Sequence, residues 1–405
     1  MVQGRFLDAR LCLERVYELR LEELGGEEPN KREAQMLALL WGEIGRTWLY
    51  LGQSERSQEY YNRGEELLQK AEVVTGFACA RMRTLQGGAL AQQGQQAEAL
   101  RVVKQALQLF QDANMPNRVL PYKPQAGIPL TRIQRTLNGD LNDLGRMYMS
   151  LGTIYNNMGQ LNDALTHLSA ALALFEEREQ KREVANASCN IGYISLKKGE
   201  YITAQRAFER SLAIAEYIGD GPISSVVCSN FGELAACRGD LVEAGKWYKR
   251  ALVLAEQFQD RTYISTWNAA LAVVLQAQGQ PTEAGVCIVR AFRVGRGMKS
   301  TFCIGNALLA LAKLRILQAQ QRPQSARLLL NHAARDIART LALTGLDAET
   351  TTKAYLALAH TNLLLGNRAE AHTMLEEVVK QAHGYSLAVI EQQAWDLLDR
   401  LNKAK

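Results

Sequence analysis

Proline is scarce in this 405-residue sequence, with 8 in all, and aromatic residues make up only 7% of it. Both shortages suit a helical chain, because proline removes a backbone donor and breaks helix interiors. Charge of one sign is also missing. The 47 basic and 42 acidic residues leave a formal net charge of +5, too small to argue for direct contact with nucleic acid. No run of eighteen apolar residues marks a membrane span, and Arg5 and Asp8 interrupt the N-terminus too early for a signal peptide. The 7 cysteines form no CxxC pair and sit inside apolar helical patterns, so buried free thiols and a reducing, cytoplasmic setting are expected.

Motifs of catalysis are lacking too. The 5 histidines fall in no HExxH or HxH pattern, which leaves no metal site to propose. The segment "GRGMKS" (Gly295 to Ser300) has the wrong spacing for a phosphate loop, and no GxSxG nucleophile turn occurs. Acidic neighbours such as Glu65 and Glu66, or Glu176 and Glu177, do not face each other on a helix and read as solvated faces. Neither catalysis nor a cofactor is expected.

What is present is a recurring phrase. "QGRFLDA" at the N-terminus returns as "MGQLNDA" (Met158 to Ala164), "KGEYITA" (Lys198 to Ala204), "RGDLVEA" (Arg238 to Ala244), "QGQPTEA" (Gln278 to Ala284) and "LGNRAEA" (Leu365 to Ala371). Gly159, Gly199, Gly239 and Gly279 are 40 residues apart; Gly4, Gly52, Gly94 and Gly366 lie outside that period, and Gln321 stands where a glycine is due. A small residue follows each turn by five positions, as in Ala164, Ala204 and Ala244, and another precedes it by seven, as in Gly152, Gly192 and Gly232. The turn glycine can take the left-handed conformation that ends one helix and starts its antiparallel partner. The small residues mark where two helices cross closely. Only three residues precede Gly4, so the sequence is expected to begin halfway through a repeat, with an edge that invites self-association.

This pattern resembles the tetratricopeptide repeat in its longer form of about 40 residues, the spacing read here. That form occurs in kinesin light chains, in spindle-orientation adaptors and in the sensor domain of maltose-activator-like bacterial ATPase regulators. The expected fold is all-α, a right-handed superhelix (an α-solenoid) of tandem antiparallel helix pairs. N-terminal repeats should occupy 1–112, a Pro-rich basic insertion 113–140, regular repeats 141–383 and a capping helix 384–405. The insertion holds Pro116, Pro121, Pro124 and Pro129, and reads as a surface segment or as one lying across the groove.

In such arrays the first helix of each pair lines a concave binding face. Counting from the turn glycines, the candidate partner-binding residues are Arg146, Asn156, Asn157, Asn190, Tyr193, Lys197, Asn230, Glu233, Gln276 and Arg315. Asn190 and Asn230 share one repeat position. The resemblance implies that they could bond ligand backbone, while the packing alternative has them satisfy neighbouring helix ends. Cys189 and Ser229 stand where a carboxylate clamp would need lysine, so a chaperone-tail receptor is not inferred. The inward positives Arg146, Lys197, Arg315 and Lys353 favour an acidic peptide or a phosphorylated small effector. The expectation is a non-catalytic scaffold or ligand sensor that binds a peptide, protein or small effector. It would form part of a larger signalling or transcription regulator, with no direct contact to nucleic acid or membrane. The alternative is the substrate-recognition region of an enzyme, such as a caspase-like peptidase, whose catalytic domain lies elsewhere.

Overall fold

Helix pairs form where the glycine and alanine spacing predicts them. The computed structural model describes residues 2–50, 53–112, 141–298, 300–344 and 346–403; the basic insertion 113–140 and the turn at Gly52 lie outside the described residues. The helices are α1 (Val2–Glu23), α2 (Lys31–Tyr50), α3 (Ser54–Lys70), α4 (Phe77–Gln92), α5 (Gln96–Asp112), α6 (Leu141–Asn157), α7 (Leu161–Glu177), α8 (Lys181–Lys197) and α9 (Tyr201–Tyr217). They continue as α10 (Gly221–Cys237), α11 (Leu241–Gln257), α12 (Arg261–Ala277), α13 (Pro281–Met298), α14 (Thr301–Gln321), α15 (Ala326–Leu341), α16 (Ala348–Leu365), α17 (Arg368–Gly384) and α18 (Ala388–Lys403). No strand occurs among the described residues.

The turns follow the predicted chemistry. Gly159 and Gly199 have φ of +77° and +74°, the left-handed region that a Cβ disfavours. At the missing glycine, the short 3-10 turn Pro323–Ser325 takes over the reversal. Aspartates start several helices: the side chains of Asp220, Asp240, Asp260 and Asp347 accept from the backbone N–H of Ile223, Glu243, Tyr263 and Thr350. Each such cap satisfies a donor that the helix cannot.

Within a hairpin, a glycine on the first helix meets an aromatic ring on the second. A Cβ on Gly45 would come within 2.6 Å of Tyr61, and one on Gly192 within 2.6 Å of Phe208. Ala204 and Ala244 are fully buried, as close helix crossings require. Serines tie neighbouring helices across the same layers: Ser211, Ser225 and Ser265 donate to the carbonyls of Ala185, Ala251 and Ala291 at 2.7, 2.8 and 2.9 Å.

The chain divides into two compact units. The first comprises Met1–Tyr155 with Thr166–Gln180, and the second Asn156–Leu165 with Lys181–Lys405. In the first unit, α1 packs on α2 through Tyr17 against Trp41, with ring centroids 4.1 Å apart, while Leu11 on its other side stays 55% exposed. In the second unit the C-terminal helices return to the earliest hairpin turns. The Tyr385 ring lies against Gly159, and Ala388 Cβ would be 3.7 Å from a Cβ on Gly199. Helix α14 is the one described helix long and apolar enough to cross a membrane, and it forms core contacts with α12, α13, α15 and α16 instead.

Candidate functional site

The inner face of the second unit gathers its charge in one place. Glu349 lies in the first turn of α16, next to the capping Asp347, where the helix N-terminus favours an anion. Its Oε2 is 2.6 Å from Lys197 Nζ of α8 and accepts from the Tyr193 hydroxyl at 2.9 Å. Its Oε1 is 2.5 Å from Lys353 Nζ, one turn along α16. Lys353 also reaches Glu233 of α10 at 3.4 Å. Lys197 donates to Asn156 Oδ1 at 2.8 Å and lies 4.8 Å from the Tyr193 ring centroid. Hydrogen bonds thus join helices 156 and 120 residues apart in sequence.

Burial alone would push the Glu349 carboxyl upward, but the Lys197 and Lys353 ammonium groups outweigh it and hold the carboxyl well below its usual range. Lys353 is lowered by burial and raised more strongly by Glu349 and Glu233, so it stays charged. Burial, reinforced by Glu349 and Glu233, raises the Tyr193 phenol well above its ordinary value. At neutral pH Glu349 is therefore a carboxylate, Lys353 an ammonium and Tyr193 a neutral phenol, a set suited to hydrogen bonding. Among the described residues no group of His, Cys, Asp and Glu is placed to hold a metal.

Of the sequence-predicted residues, Asn156, Tyr193, Lys197 and Glu233 come together. The others do not join them. Asn230 is buried and donates to Cys189 Sγ at 3.2 Å, a packing contact between α10 and α8. Gln276 is fully buried and reaches Gln321 at 3.5 Å. Arg315 turns to its own hairpin partner, pairing with Asp336 and donating to the His332 carbonyl at 3.3 Å. Arg146 belongs to the first unit and pairs with Asp143 at 3.6 Å. Asn157 and Asn190 are half-buried and join no side-chain hydrogen bond among the described residues. The inward positives expected to attract an acidic partner are thus paired internally: Lys197 and Lys353 with Glu349, Arg315 with Asp336, and Arg146 with Asp143.

Two members were missed, Glu349 and Lys313. A signal for Lys313 was available. Counting 40 residues from Tyr193 gives Glu233, Val273 and Lys313 in turn (193, 233, 273, 313), each the thirteenth residue of its helix. Anchoring on Gln321 instead shifted the register in α14 by two residues, from Lys313 to Arg315, because the reversal there uses the turn at Pro323–Ser325. Glu349 has no such signal; as an acid in a first helical turn it reads as a dipole partner exposed to water.

A separate cleft of about 440 Å³ opens between α9 and α11 over the floor of α10, lined by Leu212, Phe231 and Trp247 with Glu209, Glu216 and Arg238 at its rim. It lies on the second helices of the pairs. Its charged rim is internally satisfied, Glu216 pairing with Arg250 and Arg238 donating to Gln205 at 2.9 Å.

A stack of antiparallel helix pairs with charged residues on the inner helices defines an all-α helical-repeat array. Residues 143–217 match the family model described as tetratricopeptide repeat. No curated protein matches the chain by sequence. Among solved structures, the chain is similar to NprR in complex with its cognate peptide NprX, at 16% identity and a TM-score of 0.61, over 94% of this chain and 97% of that one. It is also similar to a Rap protein complexed with Competence and Sporulation Factor, at 15% identity and a TM-score of 0.59, over 99% and 98% of the two chains. A third is aspartyl phosphate phosphatase F from Bacillus subtilis, at 12% identity and a TM-score of 0.54, over 94% and 92%. At these identities the likeness is one of fold.

Proposed function

We propose that this chain is a non-catalytic ligand-sensing module that takes up a peptide segment on the inner face of its second unit. The observation that carries this reading is the convergence of Asn156, Tyr193, Lys197, Glu233, Glu349 and Lys353 from four separate helices. A cluster built from so many repeats offers donors and acceptors along an extended path, and amide, phenol and ammonium groups match peptide backbone and side chains. A protein of similar fold, NprR, is known in complex with its cognate peptide NprX, which supports the class of ligand. Free thiols throughout the described residues suit a reducing, cytoplasmic setting. The recognised event would be passed on within a larger regulator.

The test is a selection of displayed random peptides on the intact chain, followed by affinity measurement on Lys197→Met/Lys353→Met. Selected peptides should bind the double variant at least about tenfold more weakly, a loss of about 1.4 kcal/mol, with an unchanged far-UV circular dichroism spectrum. Equal affinity for the folded double variant would place recognition elsewhere.

A further inference from the structure

The charges on this inner face are not all paired. Three ammonium groups, on Lys197, Lys313 and Lys353, share it with the carboxylates of Glu233 and Glu349, and that of Asp347 lies near Lys353 and Tyr193. Both oxygens of Glu349 are already engaged, Oε2 by Lys197 and Tyr193 and Oε1 by Lys353. Glu233 is shared with Lys353 at 3.4 Å. Lys313 of α14 is half-buried and senses Lys353, Glu233, Glu349 and the Cys237 thiol, yet among the described residues no carboxylate comes within ion-pair distance of it. Burial, with Lys353 adding to it, pulls its ammonium down to about 8. An unpaired cation in a partly dry interior is costly unless something completes it.

We propose that Lys313, flanked by Lys353, is the subsite for a compact oxyanion on the ligand, a carboxylate or a phosphate monoester. The inference rests on the inner face of the second unit being the ligand site. It also adds a residue that the pattern-based list lacked and names the group that residue takes. Repeat register supports it: Tyr193, Glu233 and Lys313 are each the thirteenth residue of their helices, and Lys353, from the second turn of α16, reaches Glu233 at 3.4 Å. Lys353 is held by two acids and Lys197 by one, whereas Lys313 keeps its donors for an incoming group. The depressed ammonium is the expected mark of a cation awaiting its counter-ion.

The test uses the intact chain with lysines carrying ¹³C-methyl groups, which keeps their charge and lets each be titrated by NMR. Lys313→Gln identifies the Lys313 signal by its loss, and Lys313→Arg restores a charge that cannot titrate in this range. Millimolar inorganic phosphate and N-acetylglutamate serve as separate probes against sodium chloride of equal ionic strength. A bound oxyanion should raise the Lys313 midpoint by roughly one unit, which corresponds to about tenfold tighter binding to the charged form. A response to either probe beyond that of chloride supports the subsite, and the stronger response identifies the kind of group it prefers. Lys313→Arg should keep probe binding and Lys313→Gln should lose it. A midpoint unmoved by both probes, or full probe binding by folded Lys313→Gln, would overturn the assignment. Failure of the peptide selection together with a clear phosphate shift at Lys313 would overturn the peptide reading and leave the subsite standing.

Discussion

In the first unit, Arg81 joins Glu43 at 3.4 Å and Asp143 at 3.2 Å, and Arg46 and Arg146 complete the set at 2.5 and 3.6 Å. Helices α2, α4 and α6 supply these groups, the first helices of successive described pairs. In the second unit, Glu349 joins Lys197 and Tyr193, and the Tyr193 bond spans 156 residues. The first network is a ladder in which each pair satisfies the charges of the next. The second requires the chain to wind through several hairpins before its members meet. Arginine forks suit the ladder, since a planar guanidinium can serve two carboxylates at once. Lysines suit the second cluster, because a flexible ammonium can exchange one acid for another. A ladder reports only that neighbours are stacked. The long-range cluster reports that the whole second unit is wound, and on the proposed function a ligand entering it would compete with that closure.

The comparison is broken most severely at Glu349. Glu349→Gln leaves Lys197 and Lys353 without their main counter-charge, and should cost about 3–5 kcal/mol in urea unfolding, as for other buried pairs stripped of one partner. Hydrogen exchange should then speed up in both α8 and α16, whereas Asp143→Asn should loosen only α4 and α6. Loosening of α16 alone would mean that the long-range contacts carry little. The pH dependence has a defined sign. Because the folded carboxyl lies below its ordinary 4.5, its contribution is complete above that value and fades as the pH falls further. Glu349→Gln should abolish that part of the acid sensitivity.

Overpacking comes next. Ala204 is fully buried at a close crossing, so Ala204→Leu should cost about 1–3 kcal/mol and lower the melting temperature. An unchanged melting temperature would contradict the tight crossing. Lys313→Met should act the other way, because it removes an unpaired charge. The folded ammonium sits near 8 against its ordinary 10.5, so the unfolded chain binds more protons between those values and wild-type stability rises with pH there. Lys313→Met should therefore add about 1–2 kcal/mol at pH 7, with the gain shrinking above pH 8. A gain that grows with pH would reverse the assignment. The smallest contrast is between two asparagines in one repeat position. Asn230→Ala loses the bond to Cys189 and should cost about 1 kcal/mol. Asn190→Ala should stay within about 0.5 kcal/mol. Equal losses in thermal unfolding would show that the two sites are alike after all.

Much of the fold was legible in the sequence because the repeat writes its geometry into small residues. Gly192 faces a ring that leaves no room for a Cβ, Gly232 one that leaves little, and Gly159 and Gly199 take backbone angles that disfavour one. Such demands leave a periodic trace. The site was legible only in part. Tyr193, Lys197 and Glu233 lie in the regular stretch, where one register serves consecutive pairs. Lys313 escaped because α14 runs to Gln321 and its reversal uses a different turn, which displaced the count. The pairing of Arg315 with Asp336, and of Lys197 with Glu349, depends on rotamers and on how far the array winds, and neither has a local signature. Asn230 shows the limit from the other side, since a residue at a binding register can be consumed by a cysteine one hairpin away.

The measurement that bears most directly on the account is a double-mutant cycle between Lys197 and Glu349, using Lys197→Met, Glu349→Gln and the double variant in equilibrium urea unfolding. If these residues meet as the winding of the second unit requires, the two losses should fail to add, with a coupling of at least about 1 kcal/mol, within the usual range for contacting charged residues. A coupling near zero, with both single variants destabilised independently, would show that α8 and α16 do not share one inner surface and would contradict the ligand site built on it.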